Sequence, residues 1–500
     1  MKEQEKENQN VREKQSEKVN QNANQSQSAK DNKNAKDNKS ANENKSANQS
    51  QSTKDNKNAN DNNNAKEKYS EIQKDKINYK VLRILKYYAR HIYEQVRSLA
   101  KWLLFALIAG VGVGGISSAF AIAMNVATEY RSGHIWVFIF LPIGGLIIVA
   151  MYSAFHYKND KGTNLVLSMI HSKADIPFKM APLIFMATTI THFVGGSAGR
   201  EGAALQLGGS IGNQLGRWFH LDEQDKHVLV MCGMSAAFAA LFGTPMAAAI
   251  FAMEVVSVGV MYYAALLPCV FSSIIASRLS ISMGIDPEAF HIIDIPTLNI
   301  LTGSKMILIA AICGVLSILF CMLLHGTGDL FRKYLKNPYI RIVTASFIIM
   351  ALTFILWTDD YMGAGINVIE RAIEGEANAS GFFWKMIFTA LTIEAGFKGG
   401  EIVPSFFIGA TFGCAFGHFI GLSPSLCGAT GMIAMFCGVT NCPITSMMIA
   451  FELFGFEAVP YFLIAISISF VTSGYYGLYH DQTIVYSKYK AKFINRNTVM

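Results

Sequence analysis

The chain changes character near Tyr79. Residues 1–68 are almost entirely Asn, Lys, Gln, Ser, Asp, Glu and Ala, whereas apolar runs fill the remainder. These runs lie near 102–127, 135–153, 179–194, 228–253, 258–283, 301–324, 340–357, 383–396, 404–420 and 428–475. A membrane-spanning helix needs about 20 apolar residues, so the pattern predicts an all-α polytopic membrane protein with on the order of ten spans. Several runs are short or interrupted by glycine. Broken backbone is tolerated at membrane depth only where it lines a cavity or is buried in protein, which points to a transporter or channel.

The polar segment repeats near-copies of "AKDNKNAKDNKSANENKSANQ" and carries too few apolar groups to offset the entropy of ordering a backbone. Residues 1–77 are therefore expected to form a disordered cytoplasmic tail. In "YKVLRILKYYARHIYEQVRSLAKWLL" apolar and basic residues alternate at helical spacing, which predicts an interfacial helix over 78–98. Its Lys and Arg residues place the N-terminus in the cytoplasm by the positive-inside rule. The first apolar stretch begins about a hundred residues in, so no cleaved leader is expected. The basic "YSKYKAKFINRN" predicts a cytoplasmic C-terminus, with a C-terminal helix and short tail over 478–500. The localisation expected is the plasma (cell inner) membrane.

Composition narrows the function. The chain is 51% hydrophobic and 16% charged, against roughly 25% charged in soluble domains. Its net charge of +7 does not mark a nucleic-acid binder: residues 1–70 hold 14 of the 43 Lys and Arg and 11 of the 36 Asp and Glu, and no basic face with stacking aromatics follows. The eight cysteines, Cys232 to Cys442, lie in apolar runs without a CxxC pair, and are expected to be packing residues, neither disulfides nor metal ligands. No cofactor is expected. A reading of a different class is an intramembrane enzyme with Glu201 and Glu401 as a general acid/base pair; against it, no nucleophile or metal-ligand cluster such as HExxH accompanies them.

The membrane part contains an internal repeat. Glu201 and Glu401 stand 200 residues apart, with Gly209 and Gly409 at the same offset; Pro245 and Pro443, then Glu254 and Glu452, match at 198. The repeats are expected over 99–283 and 301–477, joined by a loop over 284–300. Interrupted helices in matching positions point to a central transport site, although the sequence alone leaves open whether the halves are inverted or parallel. Glu254 and Glu452, at matching helix ends, are read as helix-terminus or subunit-interface groups, not proton carriers.

The chemistry concentrates in "GGSAGREGAALQLGGSIGNQLG", residues 195–216. Gly199 and Gly202 flank Arg200 and Glu201, so the backbone can approach a small ligand, and a helix begins at once. Unpaired N–H groups and the positive dipole end make a helix N-terminus an anion site. A carboxylate fixed there competes with the anion, so proton and anion occupancy become linked. The second copy, "GFKGGEIVPSFFIGATFG", places Gly399 and Gly400 before Glu401, Ile402 and Val403, with Pro404 opening a helix. Taken singly, each motif is also readable as a glycine turn, with Arg200 and Glu201 as a local ion pair.

Over residues 99–490 these motifs resemble the CLC chloride channels and proton-coupled anion exchangers. "GREGA" is similar to that family's GREGP, with Ala203 in place of proline and Gln206 and Gly208 continuing the pattern. The resemblance makes Glu201 the gating glutamate, matches "GGEIVP" to the GxFxP region, sets Tyr479 at the pore tyrosine and, through "KGTN", Thr163 at the serine of the GSGIP loop. It implies a homodimer with one pore per subunit and inverted halves, and an anion site made by Thr163, Gly199, Arg200, Gly202, Gly400, Glu401, Ile402, Val403 and Tyr479.

The departures carry information. The chloride/proton exchangers of that family have an inner relay glutamate directly after the position of Glu254; here that residue is Val255. Where chloride members have an apolar residue beside the anion, this chain has Glu401, preceded by Lys398. Both features are similar to the fluoride-exporting branch. The expected function is a fluoride/proton antiporter exporting cytoplasmic fluoride, the alternative a chloride/proton exchanger or passive chloride channel on the same fold. Fluoride accepts hydrogen bonds strongly, so a dehydrating site must return donors, here helix N–H groups, the hydroxyls of Thr163 and Tyr479, and Glu401 if protonated. Two readings of Glu401 stand equal: a protonated donor, or a carboxylate neutralised by Lys398. Glu394 is expected to pair with Lys398 four residues on, and His192 is read as a packing residue.

Overall fold

Glycine, asparagine and proline cut the apolar runs into more helices than the hydropathy pattern predicts. The computed structural model describes residues 48–157, 162–171 and 176–499. In chain order the helices are α1 (Asn48–Gly133), α2 (Leu141–Ala154), α3 (Asn164–His171), α4 (Met180–Phe193), α5 (Glu201–Trp218), α6 (Glu223–Phe242), α7 (Pro245–Glu254) and α8 (Leu266–Ser282). They continue as α9 (Ile300–Tyr334), α10 (Pro338–Leu356), α11 (Ile366–Ile373), α12 (Gly381–Ala395), α13 (Ile402–Ile420), α14 (Pro424–Thr440), α15 (Pro443–Phe454) and α16 (Val459–Thr472). Among the described residues seven helical segments are long and apolar enough to cross a membrane, and five more are apolar but only 10–17 residues long. At about 1.5 Å per residue a ten-residue helix such as α7 covers about half of a bilayer core of about 30 Å.

The described residues fall into two units, within 48–93 and 94–499. In the first, the described backbone is the helical stretch of α1, with Tyr79, Leu82, Leu85 and Tyr88 exposed. The helix starts at Asn48, not at residue 78, which corrects the tail boundary for residues 48–77. That stretch contains neither Pro nor Gly, so nothing in it stops a helix once formed. The disorder expected for residues 1–47 lies outside the described residues, as does Lys161 of the "KGTN" motif. All other elements belong to residues 94–500.

Two apparent single spans are helix pairs. The 228–253 run is cut where Gly243 takes a left-handed conformation (φ 70°) and Pro245 opens α7. The 428–475 run is cut in the same way by Asn441 (φ 58°) and Pro443. In each repeat a long helix packs on its neighbour at backbone contact, α5 on α6 and α13 on α14. A Cβ on Gly208 would overlap the Gly233 carbonyl, and one on Gly409 would overlap the Gly431 carbonyl. Helix association in lipid draws on such close packing, because lipid tails supply no hydrophobic drive between helices. All eight cysteines are buried and none is in a disulfide.

The two halves are inverted. Glu254, at the C-terminus of α7, accepts hydrogen bonds from the backbone N–H of Ile444 (3.1 Å) and Thr445 (2.7 Å) and from the Thr445 hydroxyl (2.6 Å), at the N-terminus of α15. Glu452, in the last turn of α15, accepts from the N–H of Met246 (2.9 Å) and Ala247 (2.8 Å), at the N-terminus of α7. Each half-helix caps the other, which requires them to run antiparallel. Both glutamates are thus helix-terminus groups, as read from the sequence, with the terminus supplied by the other repeat.

The C-terminal region departs from an all-α fold. Instead of a helix over 478–500, β2 (Thr483–Tyr486) pairs antiparallel with β3 (Phe493–Asn497) and parallel with β1 (Ser257–Val258). The β-branched and aromatic "TIVY" favours a strand, and the pairing partner lies 226 residues earlier, beyond the reach of any local pattern.

Candidate ion-binding site

The two glycine motifs meet. Gly199 and Gly400 exchange backbone hydrogen bonds of 2.7 Å in both directions, an isolated antiparallel bridge joining the starts of α5 and α13. A side chain at either position would collide: a Cβ on Gly400 would lie 2.5 Å from the Gly202 nitrogen. The helix starts also correct the repeat alignment. Arg200 caps α5, accepting from the Ala204 N–H at 3.0 Å, and Glu401 caps α13, accepting from the Ser405 N–H at 3.1 Å. Gly199 with Gly400, Arg200 with Glu401 and Gly208 with Gly409 share an offset of 201, so the counterpart of Glu401 is Arg200. Glycine-rich motifs tolerate a one-residue slip, and only the cap positions fix the register; Gly209 instead lies against Val166.

The glutamates consequently enter the pocket from different helix positions. Glu201, fully buried at the first residue of α5, accepts a hydrogen bond from the Val403 N–H through Oε2 at 3.4 Å, while its Oε1 is enclosed without a partner. Glu401 Oε2 is likewise enclosed and unpartnered, as is the hydroxyl of Tyr479, whose side chain is within electrostatic reach of both carboxyl groups. Thr163 Oγ1 lies 3.5 Å from the Gly202 carbonyl. Around Gly202 the Thr163 hydroxyl, the Gly400 backbone and Glu401 Oε2 come together. Of the residues singled out from sequence, Thr163, Gly199, Glu201, Gly202, Gly400, Glu401, Ile402, Val403 and Tyr479 therefore belong to one neighbourhood, Ile402 and Val403 as the first turn of α13.

Arg200 is the exception. Its guanidinium donates to Asn125 Oδ1 (3.0 Å) and to Glu288 (2.9 Å), so it forms no local pair with Glu201 and its side chain is turned to other partners. Lys398 stacks its ammonium over the Tyr152 ring at 4.3 Å. Helix α12 ends at Ala395 and Gly396 turns left-handed, so Lys398 does not sit one helical turn beyond Glu394. Glu394 faces Arg332 at 3.9 Å. His192 points Nδ1 at the Thr188 carbonyl (3.1 Å) within its own helix, while its Nε2 is enclosed without a partner beside a cavity.

Two cavities flank the bridge, and no residue lines both. One, of about 570 Å³, is lined by Glu401 together with Gln206, Arg332, Arg341, Glu394 and Lys398. The other, of about 430 Å³, reaches Arg200 past Asn125, Arg131, His192 and Asp359. Sequence reasoning missed Asn125, Glu288, Arg332 and Arg341, which stand on separate elements with no motif around them. Lys385 was also missed: it is wholly buried and donates to the carbonyls of Tyr361 (3.2 Å) and Gly363 (2.7 Å), fixing the loop before α11. A lysine inside an apolar helix was a signal that went unused.

Helix starts contributed by the two inverted repeats, meeting beside buried carboxyl oxygens between two cavities, define a membrane protein built to hold an ion. The profile of the voltage gated chloride channel family matches residues 144–474. The chain belongs to that family, whose members are channels and transporters. It is 33% identical over 398 residues to a chloride/fluoride channel protein of Pseudomonas syringae pv. tomato, covering 78% of this chain and 88% of the relative. It resembles the crystal structure of a CLC-type fluoride/proton antiporter with a TM-score of 0.74 and 32% identity, over 77% of this chain and 98% of the other. A slow cyanobacterial Cl−/H+ antiporter shares the fold, with a TM-score of 0.64 at 19% identity over 74% and 94% of the two chains.

Proposed function

We propose that this protein is a fluoride/proton antiporter that expels cytoplasmic fluoride on the inward proton gradient, with Glu201 as gating and proton-coupling carboxylate. The observation that carries the reading is that Glu201 Oε1, Glu401 Oε2 and the Tyr479 hydroxyl are each enclosed without a hydrogen-bond partner, with Tyr479 within electrostatic reach of both carboxyl groups. Such groups are costly to leave unpaired; the Tyr479 hydroxyl, and either carboxyl group once protonated, can donate to a small anion, which ties anion entry to protonation. When ionised, Glu201 occupies the anion's place and takes the Val403 N–H. When protonated, it releases that donor and the anion enters.

Glu401, protonated, turns from a repelling charge into a donor for fluoride, alongside Thr163, Tyr479 and the N–H groups of Ile402 and Val403. Chloride, larger and a weaker acceptor, repays less of that donor set. The similarity to a fluoride/proton antiporter across 77% of the chain supports the same reading, as does Val255 where exchangers of the chloride branch carry their inner glutamate. The protein works as a homodimer with one pore per subunit, in the plasma (cell inner) membrane with both termini cytoplasmic.

The test is fluoride release from vesicles, with pH recorded in parallel. Glu201→Gln removes the titrating group while keeping its size, so proton movement stops. A Glu201→Gln protein that still drives protons against a fluoride gradient would refute the assignment. Hydrogen-bonding donors matched to chloride would instead show as chloride release as fast as fluoride release.

A further inference from the structure

Tyr479 has its hydroxyl buried without a hydrogen-bond partner, so no hydrogen bond at the phenol end fixes where it stands. Its backbone is held instead. The Tyr479 carbonyl accepts two hydrogen bonds, from the Thr498 hydroxyl at 2.6 Å and from the Gln482 N–H at 3.1 Å, which uses both lone pairs. Thr498 is itself tied down, its N–H donating to the Gln482 carbonyl at 3.1 Å next to the β2–β3 pairing, and it is buried.

Gln482 is the fixed point of this arrangement. Its side chain is fully buried and fully used: Nε2 donates to the carbonyls of Val255 (3.0 Å) and Thr440 (2.8 Å), and Oε1 accepts from Asn441 Nδ2 at 3.2 Å. Asn441 Nδ2 also reaches the Tyr476 carbonyl at 2.9 Å, and the Leu478 N–H reaches the Val439 carbonyl at 2.9 Å. The tyrosine segment is thus pinned to the end of α14, to the residue that follows α7, and to the strand pair. A buried amide satisfied on every side rigidifies its surroundings.

We infer that Thr498 and Gln482 are positioning residues for Tyr479: by clamping its carbonyl to β3 and to the two half-helices, they set the place of its hydroxyl in the anion pocket. The β2–β3 element is therefore part of the transport machinery at one remove from the ion. This inference rests on the proposed role of the Tyr479 hydroxyl, and the experiment separates the two.

Fluoride release from vesicles is measured for Thr498→Val, Thr498→Ser, Tyr479→Phe and the Thr498→Val/Tyr479→Phe double variant, with the fluoride-to-chloride ratio as second readout. Thr498→Val is expected to lower fluoride turnover about fivefold, the factor equivalent to one ordinary hydrogen bond, and to lower the ratio. Thr498→Ser, which keeps the hydroxyl, stays within about twofold of the parent, and Thr498→Val adds nothing in the Tyr479→Phe background. Thr498→Ala answers the same question if valine impairs folding. Equal losses from Thr498→Val in both backgrounds, or no loss while Tyr479→Phe is impaired, would overturn the inference and leave the pocket assignment standing. A fully active Tyr479→Phe would overturn the assignment of that hydroxyl, and the inference with it.

Discussion

Removing the Glu254 carboxylate should weaken the joint between the two halves without touching proton coupling. Its three hydrogen bonds, to the Ile444 and Thr445 N–H groups and the Thr445 hydroxyl, are all at or below 3.1 Å. Glu254→Ala leaves two backbone donors at the start of α15 unsatisfied. At about 1–3 kcal/mol for each buried donor, reduced by local relaxation, the cost is about 3 kcal/mol. Glu254→Gln keeps the size and one acceptor oxygen but turns an NH₂ toward a donor, for a loss of about 2 kcal/mol. Glu452 makes two bonds, to Met246 and Ala247, so Glu452→Ala should fall below Glu254→Ala. Thermal stability in detergent, read by the protein remaining monodisperse on size exclusion after heating, should rank the variants in that order. Vesicle measurements on the surviving protein should give an unchanged ratio of protons to fluoride. A Glu254→Gln protein with normal stability and lost proton movement would refute the reasoning, because it would make Glu254 a proton carrier instead of a cap.

Glu401→Ala should lower fluoride preference over chloride by about tenfold, the worth of one strong donor to an anion, in paired fluoride and chloride release, whereas Glu401→Gln, whose amide still donates, should keep part of it; unchanged selectivity in Glu401→Ala would remove Glu401 from the ion's surroundings. Gly431→Ala should reduce folded protein severely, because its Cβ would overlap the Gly409 carbonyl, whereas Gly326→Ala, with nothing within 4 Å, should be tolerated or gain up to about 1 kcal/mol. Equal yields of the two on expression and size exclusion would contradict backbone-contact packing of α13 on α14.

The parts of the site written into local sequence were legible in it. A glycine turn followed at once by an apolar helix fixes a helix N-terminus, and Glu201 and Glu401 could be placed on such starts without knowing what they faced. What they faced was not readable, because Arg200 meets Glu288 across 88 residues and Glu254 meets Thr445 across 191. The one-residue slip between Glu201 and Arg200 as the counterpart of Glu401 has the same origin: glycine-rich motifs align equally well in two registers until cap hydrogen bonds choose. Averaged hydropathy passed over Gly243 and Asn441, single residues whose left-handed backbone divides an apolar run. The C-terminal strands escaped for a third reason, since β2 borrows its edge from Ser257 and Val258. A basic, mixed segment has no strand signal of its own beyond "TIVY".

In the proposed function, two carboxyl groups from opposite repeats share one anion site and link fluoride to protons. The most direct measurement places purified protein in vesicles loaded with fluoride or chloride and records ion release and internal pH together. Fluoride should leave much faster than chloride, with protons entering in fixed proportion and the proportion lost in Glu201→Gln. Chloride leaving as readily as fluoride, or fluoride leaving with no proton movement, would contradict it.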